Sequence, residues 1–352
     1  MRNSTLKLLF LVLFTSRGLS QEADLVLRNG TVWTVDESKP TAEAVAVKDG
    51  KFIYVGSDHD VVKHIREGVT EVIDLQGLFV TPGFNDNHVH FEWTGRIVFG
   101  LNLLDIHEEK KFINKVREVH KRFAPGVWIT GGQWSAYEAW NAGTVGKEGR
   151  KAKRDLFKPH RKMVDSFTKD RPIFIQRFDG NVFFANAKGL ELAGIGRDLS
   201  NPEGITVERD RKGNPTGILT GANVNSHFQK IIPDRSLDQR LLETQAVLDR
   251  CKKFGVTSLS DLSDPLQREI FYTLRNRQAL TVRVHSRGYL DQWDKLAALG
   301  IKVGAGDEMI RLGTVKAWID GIMGNSSARF YEPYSHMPGE RGRWRSIMFP
   351  WT

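Results

Sequence analysis

A single cysteine, Cys251, excludes an intrachain disulfide, and its place on an apolar helical face marks it as a core thiol. Beyond residue 20 no apolar run approaches the roughly 20 residues needed to cross a bilayer, so no membrane partner is expected for the mature chain. A nucleic-acid motif is also missing. Lys and Arg total 51 against 42 Asp and Glu, but the net charge of +9 is dispersed, with local clusters such as 147–162. A dispersed excess of this kind reads as solubilising surface, and no nucleic-acid partner is expected. What the chain does have is 40% hydrophobic and 26% charged residues, ample for a folded core and at odds with whole-chain disorder.

Residues 1–20 carry an early basic start at Arg2 and Lys7, an apolar stretch over 8–14 and small residues at Gly18 and Ser20. This is the layout of a secretory signal peptide cut after Ser20, and it predicts export to the periplasm or the exterior. From 23 to 78 short apolar runs alternate with Asn29-Gly30 and Asp49-Gly50, dipeptides that tolerate positive φ and suit tight hairpins. Antiparallel strands are predicted there.

Between 79 and 90 an apolar run reaches Pro82-Gly83 and then a polar tip ending in His88-Val89-His90. Read as one strand, its period of two puts Asp86, His88 and His90 on a single face. Neighbouring neutral imidazoles suit a divalent ion such as zinc, with Asp86 as a further ligand or an anchor behind the ligands. Taken alone, His-x-His also occurs by chance.

Downstream, a helix is predicted over 105–123 and a strand over 127–134 ending in Gly131-Gly132-Gln133-Trp134. Trp134 either lines a substrate pocket or packs on bare glycine backbone. A strand over 173–178, a helix over 187–192 and a hairpin turning at Gly213-Asn214 follow. Ser236 and Gln239 form a capping box for a long helix. Strand and helix then alternate at 256–262, 265–274, 282–284, 292–299 and 310–319, which is the pattern of parallel βαβ units.

The run Pro-Gly-Phe-x-Asp-x-His-x-His, preceded by Ile73-Asp74-Leu75-Gln76-Gly77, resembles the metal-dependent amidohydrolase superfamily, in the branch called amidohydrolase family 3. The resemblance implies an α/β chain built as a TIM-like (β/α)8 metallo-hydrolase barrel whose first strand ends in the metal-binding pair His88 and His90. It implies one or two divalent ions, zinc first, and hydrolysis of non-peptide C–N bonds in a small-molecule amide. On the fourth strand it puts a metal-bridging residue at Lys316, which would act as a ligand after carboxylation by carbon dioxide. The alternative is a lysine neutralised by Asp320 on the same strand face. Asn181 stands where family members commonly carry a substrate-contacting histidine.

The resemblance divides the chain into the leader, part of a composite β-sandwich at 21–78, and a barrel portion at 79–352 with an insertion at about 102–235. Without the insertion, the barrel portion holds about half of the roughly 250 residues a full barrel takes, and later family elements have no match. His336 lies in a loop segment and does not fill the gap. A C-terminally truncated family member is therefore expected, with a homo-oligomer covering its open strand edges. Two other readings remain: a catalytically inactive fragment acting as a binding or oligomerising module, and a cupin-type metal oxygenase, which the repeated helices disfavour.

Overall fold

The computed structural model describes residues 21–136, 157–178, 180–321, 323, 327–335 and 337–344. The leader at 1–20 and His336 lie outside the described residues. The chain divides into two compact units, Met1–Gly83 and Phe84–Thr352.

In the first unit the strands β1 (Leu25–Arg28), β2 (Thr31–Trp33), β3 (Thr41–Ala42), β4 (Ala44–Lys48) and β5 (Lys51–Gly56) lead to the short helix α1 (Asp58–Val61), then β6 (Glu71–Asp74) and β7 (Phe79–Val80). They form two sheets, ordered β5-β4-β1-β6 and β3-β2-β7. Asp49 and Gly50 both have positive φ, 50° and 71°, and turn the β4–β5 hairpin as expected. Asn29-Gly30 does something else. Strands β1 and β2 belong to different sheets, and Gly30 is needed because a Cβ there would stand 2.6 Å from the Leu75 side chain. Ala23, Val26, Ala44, Ala46 and Val61 make one small core, and Val32, Ala42, Val45 and Leu75 a second.

The second unit opens with β8 (Phe84–Val89) and helix α2 (Phe91–Phe99). The single strand expected over 79–90 is thus two: Phe79 and Val80 pair with β2, while β8 pairs with a later strand. Pro82-Gly83 separates them, since proline brings no N–H to a ladder. His90 has left the strand altogether and is the residue that caps α2, at φ −111° and ψ 79°.

A subdomain follows, built on β9 (Leu101–Asn102), α3 (Glu109–His120), β10 (Gly131–Trp134), β11 (Phe174–Arg177), β12 (Val182–Ala185), α4 (Ala187–Leu192), β13 (Thr206–Arg209), β14 (Pro215–Thr220) and α5 (Val224–Gln229). Its six strands run in the order β13-β14-β12-β11-β10-β9. Phe112, Val116 and Val119 of α3 pack with Leu101, Trp134 and Phe184, while Phe174 stacks on Phe228, ring centroids 3.9 Å apart, in a second core. Gly132 has φ 101°, and a Cβ would meet Gln176 O at 2.8 Å, so only glycine lets β10 approach β11 this closely.

The chain then completes a parallel sheet with α6 (Leu237–Lys253), β15 (Val256–Leu262), α7 (Pro265–Asn276), β16 (Arg283–Tyr289), α8 (Trp293–Ala298), β17 (Ala305–Gly306) and β18 (Ile310–Lys316). Ser236 Oγ accepts from Gln239 N at 3.2 Å, but the Gln239 side chain turns to Glu243, so only half of the expected capping box forms. The strand order is β17-β18-β16-β15-β8, parallel from β8 to β18, with β17 antiparallel at its edge. Among the described residues this sheet stays open, with β8 at one edge, and no closed barrel is present. Its core joins Phe91, Val247, Leu248, Leu259, Ile270, Phe271 and Ile310, against which Cys251 packs.

Candidate metal centre

His88 sits near the end of β8 and Lys316 at the end of β18, with β15 and β16 between them. Lys316 Nζ nevertheless lies 2.7 Å from His88 Nε2. That nitrogen accepts from the ammonium, which assigns the ring proton to Nδ1 and leaves the Nε2 lone pair facing the lysine. The His88 and His90 rings stand with centroids 5.4 Å apart, and His90 stacks on Trp318 at 6.3 Å. Lys316 Nζ also lies 5.2 Å from the centre of the Trp318 ring.

Two of these groups are shifted. Burial first, then Lys316 and His88 beside it, hold His90 below the ordinary histidine range. Burial, then Arg287, pulls the Lys316 ammonium down. Arg287 reaches from β16 across β15 to donate from Nη2 to Asn87 O at 2.7 Å. Tyr289, paired in register with Lys316, has its ring 6.0 Å from Trp318, and burial raises its hydroxyl. His285 bonds Thr314 Oγ1 at 3.1 Å.

The other expected residues are distributed differently. Asp86 Oδ1 accepts from the His88 backbone N–H at 3.2 Å, so the carboxylate is folded onto its own strand. Asp320 Oδ2 accepts from Arg329 N at 2.8 Å, and the hydrogen bond of Lys316 goes to His88, not to Asp320. Trp134 is 1% exposed in the subdomain core, its Nε1 donating to Phe157 O at 3.1 Å, which is the packing reading of that residue. Asn181 lines a cavity of about 440 Å³ with Gln176, Gly180, Phe183, Gly221, Ala222 and Asn225. A larger cavity of about 840 Å³ shares Gln176 and Asn225 and extends to Glu92 and Trp93, just after His90.

Sequence reasoning missed Arg287, Tyr289 and Asp261. Asp261 is fully buried at the end of β15, and its signal was a carboxylate inside an otherwise uncharged strand.

The donor set fits part of a metal shell. Two imidazoles and a lysine converge, yet among the described residues no three His, Cys, Asp or Glu are placed to hold an ion. A four-coordinate ion would need further donors.

Parallel β/α units thus carry a His-x-His at the end of the first strand and a lysine at the end of the fourth. Residues 71–348 match the model described as "Amidohydrolase family", and the chain belongs to that family. It is 29% identical over 339 residues to Protein LONG AFTER FAR-RED 3 of Arabidopsis thaliana, covering 91% of this chain and 54% of that protein. It is 30% identical over 212 residues to the N-substituted formamide deformylase of Arthrobacter pascens, covering 59% of this chain and 36% of that one. The crystal structure of an uncharacterized metal-dependent hydrolase from Pyrococcus furiosus superposes with a TM-score of 0.65 at 23% identity, covering 91% of this chain and 61% of that one. That likeness supports the TIM-barrel-like fold. The chain spans about half the length of the Arabidopsis relative.

Proposed function

We propose that this chain is the metal-binding portion of an amidohydrolase that cleaves non-peptide C–N bonds in small-molecule amides. The observation that carries the reading is the convergence of His88, His90 and Lys316 from the two ends of the parallel run β8 to β18. His88 and His90 would hold a divalent ion, zinc first, with Lys316 contributing as its carbamate. The ion would supply Lewis acidity and a water acidified toward neutral pH.

The protein's own share is to aim the donors. Burial disfavours a proton on His90, and Trp318 supports one face of its ring. Arg287 adds positive potential beside Lys316, which suits an anionic carbamate there. Asn181 and its cavity would face the substrate, and Asp86 and Asp320 would support the site, while Trp134 stays in the core. Export through the 1–20 leader belongs to the same reading.

A second reading follows from the open β8 edge, where Phe84 is 59% exposed. There the chain would act as an inactive binding or oligomerising module. Zinc-loaded protein assayed against N-substituted formamides, cyclic amides and N-acyl amino acids separates the two. The first reading expects turnover of at least one amide that His88→Ala abolishes. Soluble oligomers with no turnover of any class would favour the second.

A further inference from the structure

His90 caps α2, yet its side chain makes no capping hydrogen bond. The orphan N–H of Phe91, the first residue of the helix, is taken instead by a carboxylate from the neighbouring strand: Asp261 Oδ1 accepts it at 2.7 Å. Asp261 is 0% exposed, and its other oxygen accepts from Ser263 Oγ at 2.6 Å, so the carboxylate is held at both ends. On the other side of the same residue, the His90 carbonyl accepts from both Thr94 N and Thr94 Oγ1, each at 2.9 Å. The backbone on both sides of His90 is therefore fixed, and Trp318 stacks on its ring.

From this geometry we propose that Asp261 is a positioning residue for His90: by capping α2 from the next strand, it turns the chain out of β8 and aims the imidazole at the site shared with His88 and Lys316. A buried carboxylate is an expensive way to satisfy one amide unless its location matters. Side chains that orient metal-binding histidines commonly change metal affinity by about 10- to 100-fold when removed. The inference rests on the metal reading above and adds a residue to it.

The test titrates cobalt(II), against a competing chelator, into the full chain and into Asp261→Ala and Asp261→Asn. Asn keeps an oxygen for the Phe91 N–H and Ala does not. Asp261→Ala is expected to bind cobalt at least about tenfold more weakly with an altered visible spectrum, and Asp261→Asn to stay within about threefold of the parent. A folded Asp261→Ala within threefold of the parent would overturn the inference. If Asp261→Ala does not fold, Asp261→Asn decides, and a folded Asn variant weakened more than tenfold would equally overturn it. A parent chain that binds no cobalt would refute the metal reading instead. In that case NMR on selectively labelled His and Phe decides the positioning role by itself: Asp261→Asn should keep the His90–Trp318 ring contact and slow exchange of the Phe91 amide. Loss of both in a folded Asn variant would overturn it.

Discussion

Lys316 Nζ and His88 Nε2 meet at 2.7 Å although their strands, β18 and β8, are three positions apart in the sheet. In a flat sheet three spacings amount to roughly 14 Å, too far for this contact without curvature. The sheet therefore curls, and the two side chains meet over its concave face. Replacing Lys316 by Met removes this contact and any carbamate. Metal affinity is expected to fall by at least about tenfold with the helix signal unchanged. Intact-mass measurement under non-acidic conditions should find the parent heavier by one carbon dioxide; an unmodified Lys316 in metal-loaded protein would count against the carbamate.

Burial raises the Asp261 carboxyl to about 6. Between about pH 4 and 6 the folded state therefore binds this proton more readily than the unfolded chain, so the group's contribution to stability falls as pH rises through that window and levels off above it. The full effect is at most roughly 3 kcal/mol. Urea unfolding of the parent and Asp261→Asn from pH 4 to 7 isolates it from the other carboxylates. The Asn variant should gain relative to the parent as pH rises; a pH-independent difference would contradict the assignment.

Trp134→Ala should destabilise the fold by about 3–5 kcal/mol through the cavity it leaves, and leave metal content unchanged. Trp134→Phe keeps most of the packing and loses the hydrogen bond to Phe157 O, for about 1 kcal/mol. Loss of metal from a folded Trp134→Phe would return this residue to the site.

Arg235, 14% exposed, bridges Glu92 of α2 and Glu243 of α6. Arg235→Leu removes the cation between them, leaving Glu92 with Arg96 and Glu243 with Gln239, and is expected to cost about 2–3 kcal/mol in a urea titration. A change below about 0.5 kcal/mol would class the pair with ordinary surface ion pairs.

Much of the fold was legible where local chemistry settles it. Val256–Leu262 is the strand its apolar run predicts, and Asn186 caps Ala187–Leu192 by accepting from Gly189 N. The candidate donors His88, His90 and Lys316 were separately recognisable in the sequence, as a His-x-His and a lysine on a later strand, and the structure brings them together. What could not be read depends on register and distant partners. His90 leaves the strand because the N–H that follows it goes to Asp261, 170 residues away. Arg287 joins the site only because its strand sits two places from β8. Trp134 offered two readings from sequence, and its partner Phe157 lies across a long stretch of chain. Phe79–Val80 looked continuous with β8 because period alone does not say which sheet takes a strand.

The most direct test is metal content, measured by mass spectrometry on the purified chain beside a His88→Ala, His90→Ala double variant. The account predicts stoichiometric divalent metal in the parent and its loss from an equally folded variant. Equal metal in both, or none in a soluble, folded parent supplied with zinc, would contradict it.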